Sequence, residues 1–156
     1  AKPVHLGHSL KADGRWHLIA FAGQQDTMGD QCRINALCDF LQNDTTSPIA
    51  RVTPKEADLD AIINVQAVFQ AKHRDMNVDS VHPLLQPAKG PYGLKDYEKV
   101  HIAVCEGKSS YYPRGIDKAN GCIILVRPDQ YVADILPLDD YTGIKDFFEK
   151  VLTTQS

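Results

Sequence analysis

The residues best able to do chemistry in this sequence are its four cysteines, at Cys32, Cys38, Cys105 and Cys122. No two of them have the C-x-x-C spacing of a redox pair or of a zinc knuckle. A chain of 156 residues with four cysteines is also too large and too cysteine-poor to need a disulfide scaffold. We therefore expect reduced thiols in a cytoplasmic protein, packed mainly as small apolar residues.

Cys32 is the thiol whose position could make it reactive, because it lies close to the predicted start of a helix. The helix dipole and the free N–H groups at such a position lower the pKa of a thiol. Arg33 would favour the thiolate, whereas Asp30 would oppose it. Cys38 is six residues away and points to a different side of the helix. We expect Cys32 to be packed, and a single-cysteine thiol peroxidase or transferase remains the alternative.

Other chemistry has little support in the residue pattern. The ten glycines contain no G-x-G of a dinucleotide site, and no G-x-S-x-G of a serine nucleophile is present. The six histidines are scattered and form no metal-ligand spacing. Tyr111, Tyr112 and Arg114 share a loop that could contact a small ligand, although tyrosines covering a sheet edge are more usual. We expect no catalytic, cofactor or metal site, and keep a small-ligand-binding module as a further alternative.

Composition and charge exclude several classes of protein. The net charge of −3 leaves no basic excess for phosphates, which argues against a nucleic-acid partner. No apolar run approaches the roughly 20 residues of a membrane span, and no signal peptide is visible. A length of 156 residues predicts a single domain, residues 1–156, with its own core. The first residue, Ala1, favours a processed or excised piece.

The first half of the chain predicts alternating strands and helices. Residues 15–21 form a strand that is apolar enough for burial on both faces, after a turn at Asp13-Gly14. A helix capped by Asp30 follows, and its apolar stripe consists of Ile34, Leu37, Cys38 and Leu41. Thr53-Pro54-Lys55-Glu56 resembles a capping box that would begin a short second helix. Residues 62–69 are rich in β-branched side chains and predict the next strand.

The second half predicts an irregular region and then a hairpin. Residues 74–97 contain several Pro and Gly breakers, so we expect a long ordered loop with at most one helical turn. Residues 99–105 predict a strand, and the continuous apolar run at residues 122–126 predicts a central strand. Residues 127–130 form a turn with proline at its second position, and residues 131–136 return as a strand.

A closing helix completes the order of elements and indicates the fold class. Asp139 or Asp140 is its expected N-cap, and its apolar stripe consists of Ile144, Phe147, Phe148, Val151 and Leu152. A strand–helix–strand unit followed by a hairpin and a final helix outlines an α/β, thioredoxin-like sandwich. We expect a mixed central sheet with helices on both faces.

Four blocks of the sequence are recognisable together. They are residues 3–8 with 12–16, residues 92–100, residues 114–117, and residues 121–133 with 136–138 and 147–148. In this order, and over nearly the whole chain, they resemble the C-terminal domain of one known family, the FAD-dependent aromatic monooxygenases of the phenol hydroxylase family.

The resemblance implies a thioredoxin-like dimerisation domain appended to a flavoprotein. The flavin- and substrate-binding domains of that family precede this domain, so FAD would belong to domains that this chain lacks. No catalytic residue is carried over, and the family's domain has no redox cysteine pair. The resemblance therefore predicts that the chain functions in self-association or in packing against a flavoprotein body.

Overall fold

The structure is a computed structural model of the 156-residue chain. It describes residues 13–23, 26, 32–58, 60–70, 81–86, 88–89, 91–92, 94–95, 99–102 and 120–152.

A mixed five-stranded sheet is the centre of the fold. Its strands are β1 (Trp16–Phe21), β2 (Ile63–Phe69), β5 (Val100–Ile102), β6 (Cys122–Val126) and β7 (Val132–Leu136). They lie in the order β5-β2-β1-β6-β7. The pairs β1–β2 and β2–β5 are parallel, while β1–β6 and β6–β7 are antiparallel. β1 and β2 each lie between two neighbouring strands. Both are buried, as their apolar composition predicts.

Three helices pack on one face of this sheet. They are α1 (Arg33–Asn43), α2 (Pro48–Val52) and α3 (Tyr141–Leu152). The predicted stripe of α1 is buried together with Ile144, Phe148 and Leu152 of α3. Trp16 of β1 meets the Phe148 ring edge-to-face, with ring centroids 5.8 Å apart. The strand–helix–strand unit, the β6–β7 hairpin and the closing helix confirm the thioredoxin-like α/β fold.

The opposite face of the sheet carries a second apolar cluster. It consists of Ile19, Phe21, Val68, Ile124 and Val126, with Cys122 packed against it. Of the helices in the described part of the chain, none contributes to this cluster. Both faces of the central strands are thus buried, and the helices within the described ranges lie on one of them.

Two predicted helix starts are wrong. The N-cap of α1 is Cys32 and not Asp30, which lies outside the described residues. The second helix begins earlier than its predicted capping box at Thr53, because Ser47 takes the N-cap and accepts a hydrogen bond from Ala50 N at 3.2 Å. Thr53 is instead its C-cap. For α3 the cap is Asp140, whose Oδ1 accepts from Gly143 N at 2.9 Å.

The irregular region is described in part, at residues 81–86, 88–89, 91–92 and 94–95. These residues include a helical turn, Pro83–Leu85, and a small antiparallel pair, β3 (Ala88–Lys89) and β4 (Leu94–Lys95), which the sequence did not predict. The predicted strand at residues 99–105 is observed as β5, and its last residues lie outside the described ranges.

The β6–β7 connection is the predicted turn at residues 127–130. Gln130 N donates to the Arg127 carbonyl at 2.9 Å, and Arg127 pairs with Asp129 at 2.8 Å on the exposed surface. Gln130 has φ +71°, a left-handed conformation that usually selects glycine.

Within the described residues, no helix has the length and apolar character needed to cross a membrane.

Candidate functional site

The start of α1 is the place where a thioredoxin-like fold could hold a reactive thiol, and Cys32 lies there. Its backbone is extended and forms the N-cap, but its side chain makes no capping hydrogen bond. Only 2% of Cys32 is exposed, and it packs in the same core cluster as Cys38. Cys32 is therefore packed in the core, as the sequence predicts.

The electrostatics around Cys32 disfavour the thiolate. Burial raises the pKa of its thiol, and the negative charge of Asp26 acts in the same direction. The backbone N–H groups of Asn35 and Ile34, together with the Arg33 charge, lower that pKa by less. Burial also raises the pKa of Cys38 strongly. A nucleophilic cysteine needs the opposite environment, one that is electropositive and partly exposed.

An ion pair between Asp26 and Arg33 dominates the helix start. Arg33 Nη2 lies 2.7 Å from Asp26 Oδ2, and Arg33 Nε donates to Asp26 Oδ1 at 2.9 Å, so the pair is bidentate. The same carboxylate accepts from Gly23 N at 2.8 Å. Arg33 Nη2 also donates to the Asn120 carbonyl at 2.8 Å. The pair therefore connects the end of β1, the first turn of α1 and the residues just before β6.

The charge state of Asp26 follows from these contacts. Burial opposes its ionised form, but the hydrogen bonds from Arg33 and Gly23 and the guanidinium charge outweigh burial. The pKa of Asp26 therefore lies below its ordinary value of 3.8. A carboxylate at a helix N-terminus also interacts favourably with the helix dipole. Asp26 thus supplies, from within the chain, the anion that such a helix start attracts.

An open groove lies beside this ion pair. It has a volume of about 520 Å³ and is lined by Arg33, Asn120, Gly121, Cys122, Ile135, Leu136, Pro137, Leu138 and Asp139. Gly121 shapes its floor, because it has φ +66° and a Cβ there would run into the Phe21 carbonyl oxygen and Gly23 N. The walls are mainly apolar, and Arg33 and Asp139 are its charged groups. The groove contains no acid–base or nucleophile pair, although Cys122 contributes a partly exposed thiol.

A second polar cluster lies at the ends of β1, β2 and β5 and is largely buried. Lys99, which is 3% exposed, has its Nζ 2.9 Å from Asp60 Oδ2 and also donates to Asn64 Oδ1. Asn64 Nδ2 lies 3.3 Å from His17 Nδ1, and Arg15 Nη1 contacts Asp60 Oδ2 at 3.2 Å. Each charge in this network has an opposite charge or a polar partner, as burial requires. We interpret it as a structural network.

The remaining sequence candidates are placed only in part. Cys32 and Cys38 are free thiols, and Cys122 lines the groove. Cys105 and the loop with Tyr111, Tyr112 and Arg114 lie outside the described residues. In the described part of the chain, no group of three or more His, Cys, Asp or Glu side chains could hold a metal ion. Neither the Asp26–Arg33 pair nor the Lys99 network was found from the sequence. Asp26 lies in a polar loop, and only its contacts in space distinguish it.

The fold and the site together define a class of protein. This is a thioredoxin-like α/β domain whose helix start holds a buried thiol and an internal ion pair in place of a redox cysteine pair. All 156 residues match the family model of the C-terminal dimerisation domain of phenol hydroxylase. The chain belongs to this family.

The relatives of the chain are much longer proteins. It is 43% identical over 154 residues to a 3-hydroxybenzoate 4-monooxygenase of Comamonas testosteroni, covering 97% of this chain and 24% of that protein. It is 30% identical over 156 residues to the FAD-dependent monooxygenase terD of Aspergillus terreus, covering 97% of this chain and 25% of that protein. The chain thus spans about a quarter of the length of these curated relatives.

Among solved structures, a thiol-disulfide isomerase from Corynebacterium glutamicum resembles the chain with a TM-score of 0.48 and 12% sequence identity. The superposition covers 97% of this chain and 88% of that one.

Proposed function

We propose that this chain is a non-catalytic accessory domain of an FAD-dependent aromatic monooxygenase, and that it works by self-association. The observation that carries the proposal is the match of residues 1–156 to a dimerisation-domain family. The chain covers only 24% of its 43% identical relative, which supports an accessory part. In this proposal the flavin and the aromatic substrate bind to other domains, against which this domain also packs.

The helix start supports a role without catalysis. The thiol that a redox enzyme would use is 2% exposed, and its pKa is raised by burial. The adjacent guanidinium is paired with Asp26, and the lowering effect of its charge on the Cys32 pKa does not offset burial. The free thiols at Cys32 and Cys38 support the cytoplasmic location that forms part of the proposal.

Sedimentation velocity of the 156-residue chain over a wide concentration range tests self-association. We expect a reversible monomer–dimer equilibrium. A species that stays monomeric at the highest attainable concentration would contradict self-association through this domain.

A titration with FAD, followed by flavin fluorescence, tests the absence of a cofactor site in the same preparation. We expect no saturable quenching. Saturable binding with one flavin per chain would place the cofactor in this domain and overturn its accessory role.

A further inference from the structure

Three large apolar side chains stand exposed along β7, at the edge of the main sheet. Tyr131, Val132 and Ile135 are 71%, 58% and 58% exposed, and we call them the edge strip. Among the described strands, β7 pairs only with β6. Single exposed apolar residues are common on proteins, but a contiguous apolar patch usually marks an interaction surface.

The edge strip continues the apolar core of the second sheet face. Ile135 lies opposite Ile124, and Val132 lies opposite Val126. Because directly opposed residues of antiparallel strands share a face, these four side chains form one band. Ile124 and Val126 are buried members of the second cluster. The band therefore runs from a buried core to the sheet edge without an intervening charged side chain.

The groove beside α1 adjoins this band, because Ile135 belongs to both. Val132 begins β7, whereas Leu136 and Pro137 of the groove lie at its end. Val132 is therefore about 13–17 Å from Leu136 and Pro137 along the strand. An apolar edge strip next to an apolar groove is self-complementary under a twofold axis, because each copy can place its strip against the groove of the other. That is the requirement of an isologous contact, in which both copies use the same patch.

The backbone edge of β7 is less open than its side chains. Asp134 Oδ1 accepts a hydrogen bond from Ile135 N at 2.8 Å. A strand that added to this edge would have to displace the carboxylate, and a charged residue on an edge strand is a common protection against strand addition. The side chains of the edge strip, and not the backbone groups of β7, are therefore the available binding elements.

We propose that a second copy of this chain packs on the edge strip through a twofold side-chain contact, with Val132 of each copy near the groove of the other. The inference rests on the proposed self-association and assigns it a surface. The dimerisation-domain family to which the whole chain belongs is the reason to assign the surface to a second copy. A twofold contact uses the same patch on both copies, so it closes as a pair.

Lysine substitutions in the edge strip test the assignment. Ile135→Lys and Val132→Lys each place a charge on an exposed site, so the monomer fold is expected to persist. Sedimentation velocity should show the dissociation constant raised at least about tenfold in each variant. Leu94→Lys is the matched control, because Leu94 is 71% exposed on the separate β3–β4 pair. The control is expected to dimerise like the wild type.

The outcomes separate this inference from the proposed function. A wild-type chain that is strictly monomeric contradicts self-association itself. A wild-type dimer that both edge-strip variants leave intact overturns the surface assignment but preserves self-association. Dissociation by Leu94→Lys alone also overturns the assignment and moves the contact to the β3–β4 pair. Far-ultraviolet circular dichroism and thermal melting of each variant distinguish lost association from lost folding.

Discussion

Removal of the Arg33 guanidinium is the most direct test of the helix-start interpretation. In Arg33→Met the aliphatic part of the side chain is kept, while Asp26 loses its three guanidinium hydrogen bonds. Its carboxylate, which is 5% exposed, then remains with the backbone N–H groups of Gly23 and residue 33. A carboxylate without its countercharge in this position is costly, because water cannot replace the lost partner.

The exposure of the two partners sets the expected size of the effect. An exposed ion pair contributes about 0–1 kcal/mol, and removing one partner of a fully buried pair costs about 3–5 kcal/mol. Asp26 is buried, but the Arg33 side chain is 38% exposed. We therefore expect Arg33→Met to lower the free energy of unfolding by about 2–3 kcal/mol. Arg51→Met is the control, because the Arg51–Glu149 pair is half exposed on both sides and should contribute less than about 1 kcal/mol.

Urea unfolding measures both variants, and the single tryptophan provides the signal. Trp16 packs against the Phe147 ring with centroids 5.5 Å apart, so its fluorescence reports the contact between β1 and α3. A double-mutant cycle with Asp26→Asn isolates the pairwise energy, which should exceed about 0.5 kcal/mol. A loss in Arg33→Met no larger than that in Arg51→Met would refute the reasoning.

The pH dependence gives a second reading of the same pair. The pKa of folded Asp26 lies below 3.8, so its contribution to stability is complete above that ordinary value and is lost as pH falls through the folded pKa. In Arg33→Met the buried carboxylate loses its countercharge and should take up a proton more readily. The difference in the free energy of unfolding between wild type and Arg33→Met should therefore decrease from neutral pH to about pH 4. A constant gap over this range would contradict the assignment of the effect to Asp26.

Three further predictions follow from single residues. Gly121→Ala should lower the free energy of unfolding by more than about 2 kcal/mol, measured by urea unfolding, because its φ of +66° and the Phe21 carbonyl oxygen leave no place for a Cβ. Gln130→Gly should raise that free energy by about 0.5–1 kcal/mol by relieving its φ of +71°, and an unchanged urea midpoint would count against strain there. At neutral pH, iodoacetamide should label Cys32 more slowly than the partly exposed Cys122, because Cys32 is buried and its pKa is raised. Peptide mass spectrometry measures both labelling rates, and rapid labelling of Cys32 near pH 6 would favour the thiol-enzyme alternative.

The elements with strong periodicity were predictable from the sequence. The stripe of α1 and the apolar run of β6 both appear in the core, because a 3.6-residue period and a continuous apolar run each leave one stable arrangement. The second helix start was less predictable, since Ser47-Pro48 and Thr53-Pro54 both offer a cap followed by proline. Ser47 takes the cap in a buried position and donates its Oγ to the Leu41 carbonyl at 2.8 Å. That tertiary contact is invisible in local sequence.

The polar groups of the candidate site depend on long-range contacts and therefore could not be predicted. Lys99 and Asp60 are 39 residues apart in sequence, and only the parallel pairing of β2 with β5 brings their ends together. Lys99 would be assigned to the surface by composition, because lysine is rarely buried unless it is paired. Asp26 and Arg33 are seven residues apart across a loop, a spacing that no regular element specifies.

The ion pair also gives a physical reason why the start of α1 disfavours a thiolate. A helix N-terminus attracts an anion, and a thiolate or a bound phosphate can satisfy it. In this chain the Asp26 carboxylate does so, since it accepts from the Arg33 backbone N–H at 3.4 Å and from the Arg33 side chain. A thiolate at Cys32 would have to form in the field of that carboxylate, which raises the thiol pKa. The helix N-terminus that could activate a cysteine is therefore satisfied by an internal carboxylate, which also links the end of β1 to α1.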